Sequence, residues 1–514
     1  MPKPAVPSVV PQHKVTLLLL TALVLALSLR LWFVHRVAPF IDEYISMLAI
    51  RSIIWYGVPR LPSGLLYAPK GLLHSYIGAL SYLALGQTTF ALRLPSVIAG
   101  MLTICCLYRA GRDWFSPFAG VLAAIALACS PSVVEWNSRV RMYAQLQFFS
   151  LVSVQMLVHG YSRTGSHRVR ILGILAMVLA LLSHTLALIV LGSVVISLAV
   201  SWWIQPKPRQ RFQMPSIAEI GAWALLIVLV AILHPAQGAW GYEERLSDLA
   251  TGTLSVQSLE DRLAFLIGFT HQFVTRPLWP LTALYVVGFI NLTLRRVRGV
   301  SASGDHVAWI LYVLGSCAWI ATAFMTKLYD ARYLFAILPF YFLLVCREAQ
   351  RLLEAIVRSI KLVRIDPFTS LLGLSILVVV LLAPATLRSA NEKDSGLLPA
   401  FTYVRENLRD GDVVAAEATA ASLLLLDRAD YYVRQRGAEI INGFNIVTGA
   451  PLLRSSDELL ALMHEQPRVW FVVEGVAWER HFDSEFRQTI LDTMDLAFYR
   501  KHTFVFVSSK PDSS

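Results

Sequence analysis

Residues Val15–Tyr44 read VTLLLLTALVLALSLRLWFVHRVAPFIDEY. The first 20 of them, Val15 to Val34, form an apolar run long enough for a helix to cross the hydrocarbon core of a bilayer. Trp32 and Phe33 near its end suit the aromatic belt at a membrane interface. No small-residue cleavage site follows, so the run is expected to remain as a span rather than be removed as a signal. Directly after it come two adjacent carboxylates, Asp42 and Glu43.

The rest of the chain repeats the pattern. Of 514 residues, 56% are hydrophobic and only 15% charged, with a mean hydropathy of +0.57. A soluble protein of this length would carry far more charge. Apolar windows fall at about 15–35, 91–110, 117–134, 142–160, 171–184, 185–204, 217–234, 277–294, 307–326, 334–350 and 368–387, about 11 spans in all. Ile171 to Ile204 is too long for one helix and is divided at His184. The net charge of +11 needs no nucleic acid, because Lys and Arg accumulate in cytoplasmic loops. Loops 109–113, 160–170, 205–215, 295–306 and 347–366 together hold 16 Lys/Arg against 5 Asp/Glu. These are alternate loops, so they are expected on the cytoplasmic side with the N-terminus. Five cysteines, Cys105, Cys106, Cys129, Cys317 and Cys346, lie in or beside apolar runs without metal-ligand spacing, which speaks against a disulfide framework or a zinc site.

Two segments stand apart from the spans. Residues 36–90 form a long first loop. Two amphipathic runs, Tyr44–Trp55 and Gly71–Leu85, flank a turn-rich piece at 57–64, a composition suited to the membrane interface. From Arg388 onward charge rises and long apolar runs vanish. Asp412–Glu417 (DVVAAE) and Val469–Val473 (VWFVV) read as buried strands, and 397–409 and 481–495 as helices. The fold expected is a polytopic α-helical membrane domain over 1–390 and a small extracytoplasmic α/β domain over 391–514. That domain contains no dinucleotide, P-loop or nucleophile-elbow motif, which leaves a structural or acceptor-recognising role.

The outward side collects the chemistry. Asp42, Glu43, Lys70, His74, Arg93, Glu135, Arg139, Arg141, Tyr143, His184, Glu243, Glu244, Arg245, Arg276, Lys327, Asp330 and Arg332 all fall there. A carboxylate can accept the proton of an attacking hydroxyl. Arginines stabilise a departing phosphate through paired N–H donors. Each residue also has a plainer reading. Asp42 is a good helix N-cap, single arginines at helix ends are often headgroup anchors, and His184 between apolar runs suits a core histidine. Lys70 and His74 could touch lipid headgroups.

Four motifs carry a family resemblance: Asp42-Glu43; Ala91-Leu92-Arg93-Leu94-Pro95-Ser96; Ser138-Arg139-Val140-Arg141-Met142-Tyr143; and Arg332-Tyr333-Leu334 ahead of Leu338-Pro339. Together they resemble the GT-C glycosyltransferases that use polyprenyl-phosphate sugars, and are similar to bacterial relatives of protein O-mannosyltransferases and of the lipid A aminoarabinose transferase. The resemblance covers about 15–390. It implies inverting transfer from a polyprenyl-phosphate-linked sugar to a glycan, lipid or protein hydroxyl outside the membrane. Asp42 is then the base, with Glu43 beside it. Arg139, Arg141, Arg276, Arg332 and Lys70 are donor-phosphate contacts, and Tyr143, His74 and His184 are further candidates. Many relatives carry a Lys-Pro-Pro stretch where this chain has Ala68-Pro69-Lys70-Gly71-Leu72-Leu73-His74. Some family members bind a divalent cation and others need none, and no ligand set here assigns one. The competing readings are a transporter or flippase of lipid-linked sugars, which would place ionisable groups at the midplane, and an assembly protein that docks through its tail. The enzyme reading further requires an apolar groove reaching Asp42, expected between the first loop and the loop before Arg276.

Overall fold

The computed structural model describes residues 11–68, 70–161, 166–204, 216–238, 259–270, 276–300, 302, 304–325, 331–359, 366–392, 395–437 and 440–509. Every apolar window corresponds to a helix. In chain order they are α1 (Gln12–Arg36), α4 (Thr89–Trp114), α5 (Pro117–Cys129), α7 (Tyr143–His159), α8 (His167–Ser183), α9 (Ala187–Ile204), α10 (Ile217–Gly238), α12 (Arg276–Val297), α13 (Asp305–Met325), α14 (Leu338–Ser359) and α15 (Pro367–Glu392). The first loop adds α2 (Ile41–Tyr56) and α3 (Leu72–Leu85), and α11 (Leu259–Thr270) is a further helix that no window anticipated. Among the described residues, three helices are long and apolar enough to cross a membrane on length and composition alone: Gln12–Arg36, Thr89–Trp114 and Pro367–Ala390. On α1 and α15, Leu17, Leu20, Val24, Ile376, Val380 and Leu381 are exposed, as apolar side chains facing lipid would be.

The window at 117–134 is divided. Pro131 has no N–H to continue the ladder and holds Ser130 in an extended conformation (φ −65°, ψ 125°), so α5 stops at Cys129 and a short α6 (Pro131–Trp136) begins. The carbonyls left open at the end of α5 find side-chain donors. Thr386 Oγ1 donates to the Cys129 oxygen at 2.6 Å, and Arg30 Nη1 to the Ala128 oxygen at 3.3 Å. The division at His184 occurs as expected: α8 ends at Ser183, His184 is extended and α9 starts at Ala187.

Residues of two of the basic loops, 295–306 and 347–366, meet at one end of the bundle. Asp305 receives Arg295 at 3.2 Å, Arg351 at 2.7 Å and Arg347, and Ser116 Oγ donates to Gln350 at 2.6 Å. Asp42, Arg141 and Arg332 meet at the other end.

The tail is a layered α/β unit. Helix α16 (Leu397–Asn407) leads into β1 (Val413–Ala416), α17 (Thr419–Leu426) and β2 (Tyr431–Val433). A two-stranded ribbon follows, β3 (Ile440–Ile441) with β4 (Phe444–Asn445), then β5 (Leu452–Leu453), α18 (Ser456–Glu465), β6 (Arg468–Glu474), α19 (Gly475–His481), α20 (Ser484–Thr493), β7 (Asp495–Arg500) and β8 (Thr503–Ser509). The main sheet runs β5-β2-β1-β6-β8-β7, parallel from β5 to β6 and antiparallel beyond. Strand alternation explains why VWFVV is apolar throughout. Val469, Phe471 and Val473 pack on one face with Phe482, Phe486 and Ile490, while Trp470 and Val472 pack on the other. That second face is completed by the first loop: Tyr44, Leu48, Ala49, Leu61 and Tyr67 share its core with Phe401, Val404 and Ile446. Ser63 is tied to the Ile446 and Val447 carbonyls.

Reporter fusions after Arg298 and after Ser389 should report opposite sides of the membrane. The same side for both would contradict this helix arrangement.

Candidate active site

The two adjacent carboxylates have different surroundings because successive residues on a helix point about 100° apart. Both lie in the first turn of α2. Glu43 points inward and is fully buried. Its Oε2 accepts from Arg93 Nε at 2.9 Å and from the Val140 N–H at 2.8 Å, and its Oε1 from Arg93 Nη2 at 2.8 Å and Arg139 Nη1 at 3.0 Å. Arg93 Nη1 also donates to the Val34 and Val37 carbonyls, at 2.9 and 2.7 Å. Arg139 continues to Glu135 at 3.1 Å and lies over the Phe40 ring. Burial pushes the Glu43 carboxyl up, but Arg93 and Arg139 outweigh it and hold it below the usual range.

Asp42 points outward and keeps 26% of its side chain exposed. Its Oδ2 accepts from Arg332 Nη1 at 2.8 Å, with Arg141 Nη2 at 3.4 Å. Arg141 is held from behind: its Nη1 donates to the Asp42 carbonyl at 3.0 Å, Ser46 Oγ at 3.1 Å and Tyr67 Oη at 2.9 Å. Arg332 sits on a 3₁₀ turn (Ala331–Leu334) against the rings of Trp136 and Tyr333. Burial raises the Asp42 pKa, while Arg141, Arg332 and Lys70 together bring it below the ordinary carboxylate value. Tyr143 packs edge-on to Trp136 and stacks on His184 at 5.5 Å. Burial, with Arg141, Lys70 and Arg332 nearby, takes His184 down to about 3, so its ring is neutral and its Nδ1 accepts the Leu186 N–H at 3.0 Å.

Thus Asp42, Lys70, Arg141, Tyr143, His184 and Arg332 converge on one rim. Glu43 and Arg139 form the buried layer beneath. His74 is also buried there, lowered to about 4 by burial and Arg141, and is neutral. The side chain of Arg276 lies outside the described residues, as do Glu243, Glu244, Arg245, Lys327 and Asp330. Tyr67, Ser46 and Trp136 were not anticipated as site residues. A serine one turn after Asp42 is the single local hint for any of them. Among the described residues no three His, Cys, Asp or Glu side chains converge to hold a metal ion.

Beside the rim lies a cavity of about 240 Å³, lined mainly by Tyr285, Phe289, Trp319, Ile337 and Tyr341 with few polar atoms. Leu334, on the turn that carries Arg332, also lines it. The groove expected between the first loop and the loop before Arg276 is not the one found: α12, α13, α14 and the α5–α6 break form this cavity's wall, and neither Asp42 nor any other first-loop residue lines it.

The overall fold recurs in solved structures. ArnT from Cupriavidus metallidurans in the apo state superposes with a TM-score of 0.57 over 97% of this chain and 99% of its own, at 14% identity. The same protein bound to undecaprenyl phosphate gives 0.56 over 98% and 100%, also at 14% identity. The archaeal oligosaccharyltransferase AglB from Archaeoglobus fulgidus, in complex with an inhibitory peptide and a dolichol-phosphate, gives 0.54 over 96% of this chain and 75% of its own, at 13% identity. The chain has the GT-C glycosyltransferase fold. Residues 69–234 also match the family described as dolichyl-phosphate-mannose-protein mannosyltransferase, a span that includes Arg93, Arg139 and Arg141. No curated protein matches.

Glu43→Gln leaves two buried guanidiniums with half a partner and should destabilise the fold by about 3–5 kcal/mol. Because the folded Glu43 pKa is depressed, its stabilisation is complete above the unfolded value near 4.5 and is lost as pH falls through the lower folded value. The wild-type melting midpoint should drop below about pH 5 and the variant's should drop less. Parallel curves would rule out this role for Glu43.

Proposed function

We propose that the protein is an inverting glycosyltransferase that moves a sugar from a polyprenyl-phosphate donor to a hydroxyl acceptor at the extracytoplasmic face. Asp42 is the base. The observation that carries this reading is one partly open carboxylate held between two arginines, one of which sits on the turn whose Leu334 lines an apolar cavity. The lipid tail enters that cavity from the bilayer, and its phosphate stops at Arg332, Arg141 and Lys70. Arg139 and Glu43 position this layer from below, and Tyr143 and His184 wall the sugar side.

Transfer needs one proton moved and one bond exchanged. The acceptor hydroxyl gives its proton to Asp42 Oδ as its oxygen bonds the anomeric carbon from the face opposite the phosphate. The bond from that carbon to the phosphate oxygen breaks, and the polyprenyl phosphate leaves with the electron pair, its charge met by the guanidiniums. Before the donor binds, those guanidiniums hold Asp42 ionised but weakly basic. When they turn to the phosphate, Asp42 loses part of that stabilisation and becomes the stronger base. Donor binding therefore prepares the proton acceptor.

Asp42 does not cap α2, whose N-cap is Phe40 without a side-chain cap bond, and Asp42→Asn keeps the size of the side chain but cannot take a proton. Transfer of a radiolabelled polyprenyl-phosphate sugar by the purified variant should fall roughly 10²–10⁴-fold at unchanged melting midpoint. Full activity would end the mechanism, and a flippase would survive the change. Arg141→Lys and Arg332→Lys keep charge but lose the forked donor, so donor affinity should fall in both. Arg332→Ala removes a cation beside Asp42, which raises the carboxyl pKa. The acid limb of kcat/KM should therefore move to higher pH, and a limb that stays put or moves down would detach Arg332 from Asp42.

A further inference from the structure

The carboxyl edge of the C-terminal sheet takes no part in the reading so far. Strands β2, β1 and β6 are adjacent and parallel, so their carboxyl ends share one edge. Glu417 follows β1, Arg434 follows β2, and Glu474 closes β6. The chain leaves β1 toward β2 on one side and returns to β6 on the other, which makes this the point where strand order reverses. In open α/β sheets the ligand crevice lies outside that point.

The side chains there form a built cluster. Arg434 Nη1 donates to Glu417 Oε1 at 3.2 Å, and its Nη2 lies 3.1 Å from His481 Nε2. His481 Nδ1 is 3.5 Å from Glu417 Oε1, and it is a buried nitrogen without a hydrogen bond. The Glu474 carboxyl is half-buried and makes no hydrogen bond or ion pair among the described residues. The sheet packs against the first loop that carries Asp42: Tyr44, Leu48 and Tyr67 share a core with Trp470 and Val472 of β6, and Ser63 N–H donates to the Val447 carbonyl. Burial, then Glu417 and Asp42, push the Glu474 carboxyl up to about 8. At neutral pH it therefore holds a proton and both donates and accepts.

We propose that this edge is the acceptor subsite, where Glu474, backed by Glu417, Arg434 and His481, binds a neutral sugar through its hydroxyls and presents one of them to Asp42. The proposal rests on the transferase reading above and adds the acceptor's chemical class. An anion would meet Glu417 and Asp42. An ammonium group would meet Arg434, and its natural partner Glu417 is already paired. Metal ligation is absent among the described residues. Alternating hydroxyl donors and acceptors match a protonated carboxyl beside a carboxylate and a guanidinium.

The test is saturation-transfer NMR on the full-length protein in nanodiscs, with a panel of neutral methyl hexopyranosides as probes and a serine-containing peptide as comparison. At least one glycoside should take saturation from wild type and from Asp42→Asn, and lose it in Glu474→Ala and Glu417→Gln. Glu474→Gln, which preserves shape, should weaken the signal at an unchanged melting midpoint. Equal signals in wild type and the Glu474 and Glu417 variants, no glycoside signal in wild type, or saturation of the peptide alone would each overturn the subsite. Should the glycoside pattern hold while Asp42→Asn keeps full transfer activity, the transferase mechanism fails and the sugar subsite stands.

Discussion

The Glu43 carboxylate collects four donors from two parts of the chain: two from Arg93, one from Arg139 and one from the adjoining Val140 backbone. Through Arg93 it also reaches the carbonyls at the end of α1. Four segments that converge at this end of the bundle are thereby held in one register. A charge with 0% exposure is tolerated only when its partners are complete. The network is therefore nearly all-or-none, and it sets where the next residue, Asp42, must stand.

That neighbour shows how one dipeptide gives two chemistries. Glu43 and Asp42 are both ionised, both in the first turn of α2, and both paired with arginine. They differ in what else can reach them. Every lone-pair direction of Glu43 is taken. Asp42 is partly open, and the guanidiniums that touch it can turn toward a competing anion. Pairs that are buried and saturated give position, whereas those at a rim can be exchanged.

Much of this was legible in the residues. Runs of apolar residues located a helix for each expected span, though not α11, because a bilayer makes length and hydropathy sufficient signals for long apolar helices. The division at His184 followed from length alone. Pro131 also stood in plain view inside the 117–134 window, but its effect depends on Thr386 and Arg30 capping the carbonyls it leaves open, from distant parts of the chain. Asp42, Arg141 and Arg332 were found by composition and motif, whereas the burial of Arg139 beneath them was not, since a charged residue in a loop gives no sign of which way it faces. Tyr67 escaped because its partner Arg141 lies 74 residues along the chain, and the Glu417–Arg434–His481 cluster because its meaning lies in which strand ends are neighbours. Glu417 was visible as the last letter of DVVAAE, but sheet order is a long-range property that periodicity does not carry.

The shared core of the first loop and the tail has a consequence for biogenesis. Tyr44, Leu48 and Leu61 leave the ribosome early, and their partners Phe401, Val404 and Ile446 emerge more than 300 residues later. Contacts so distant along the chain cannot form while the intervening helices are still being inserted. Through most of synthesis α2 must shelter its apolar face elsewhere, against lipid or against a holding factor. Assembly of the outer rim therefore waits for the last segment to be made. A chain truncated after its final membrane helix would be fully inserted yet leave that face uncovered, a state that quality-control proteases can recognise.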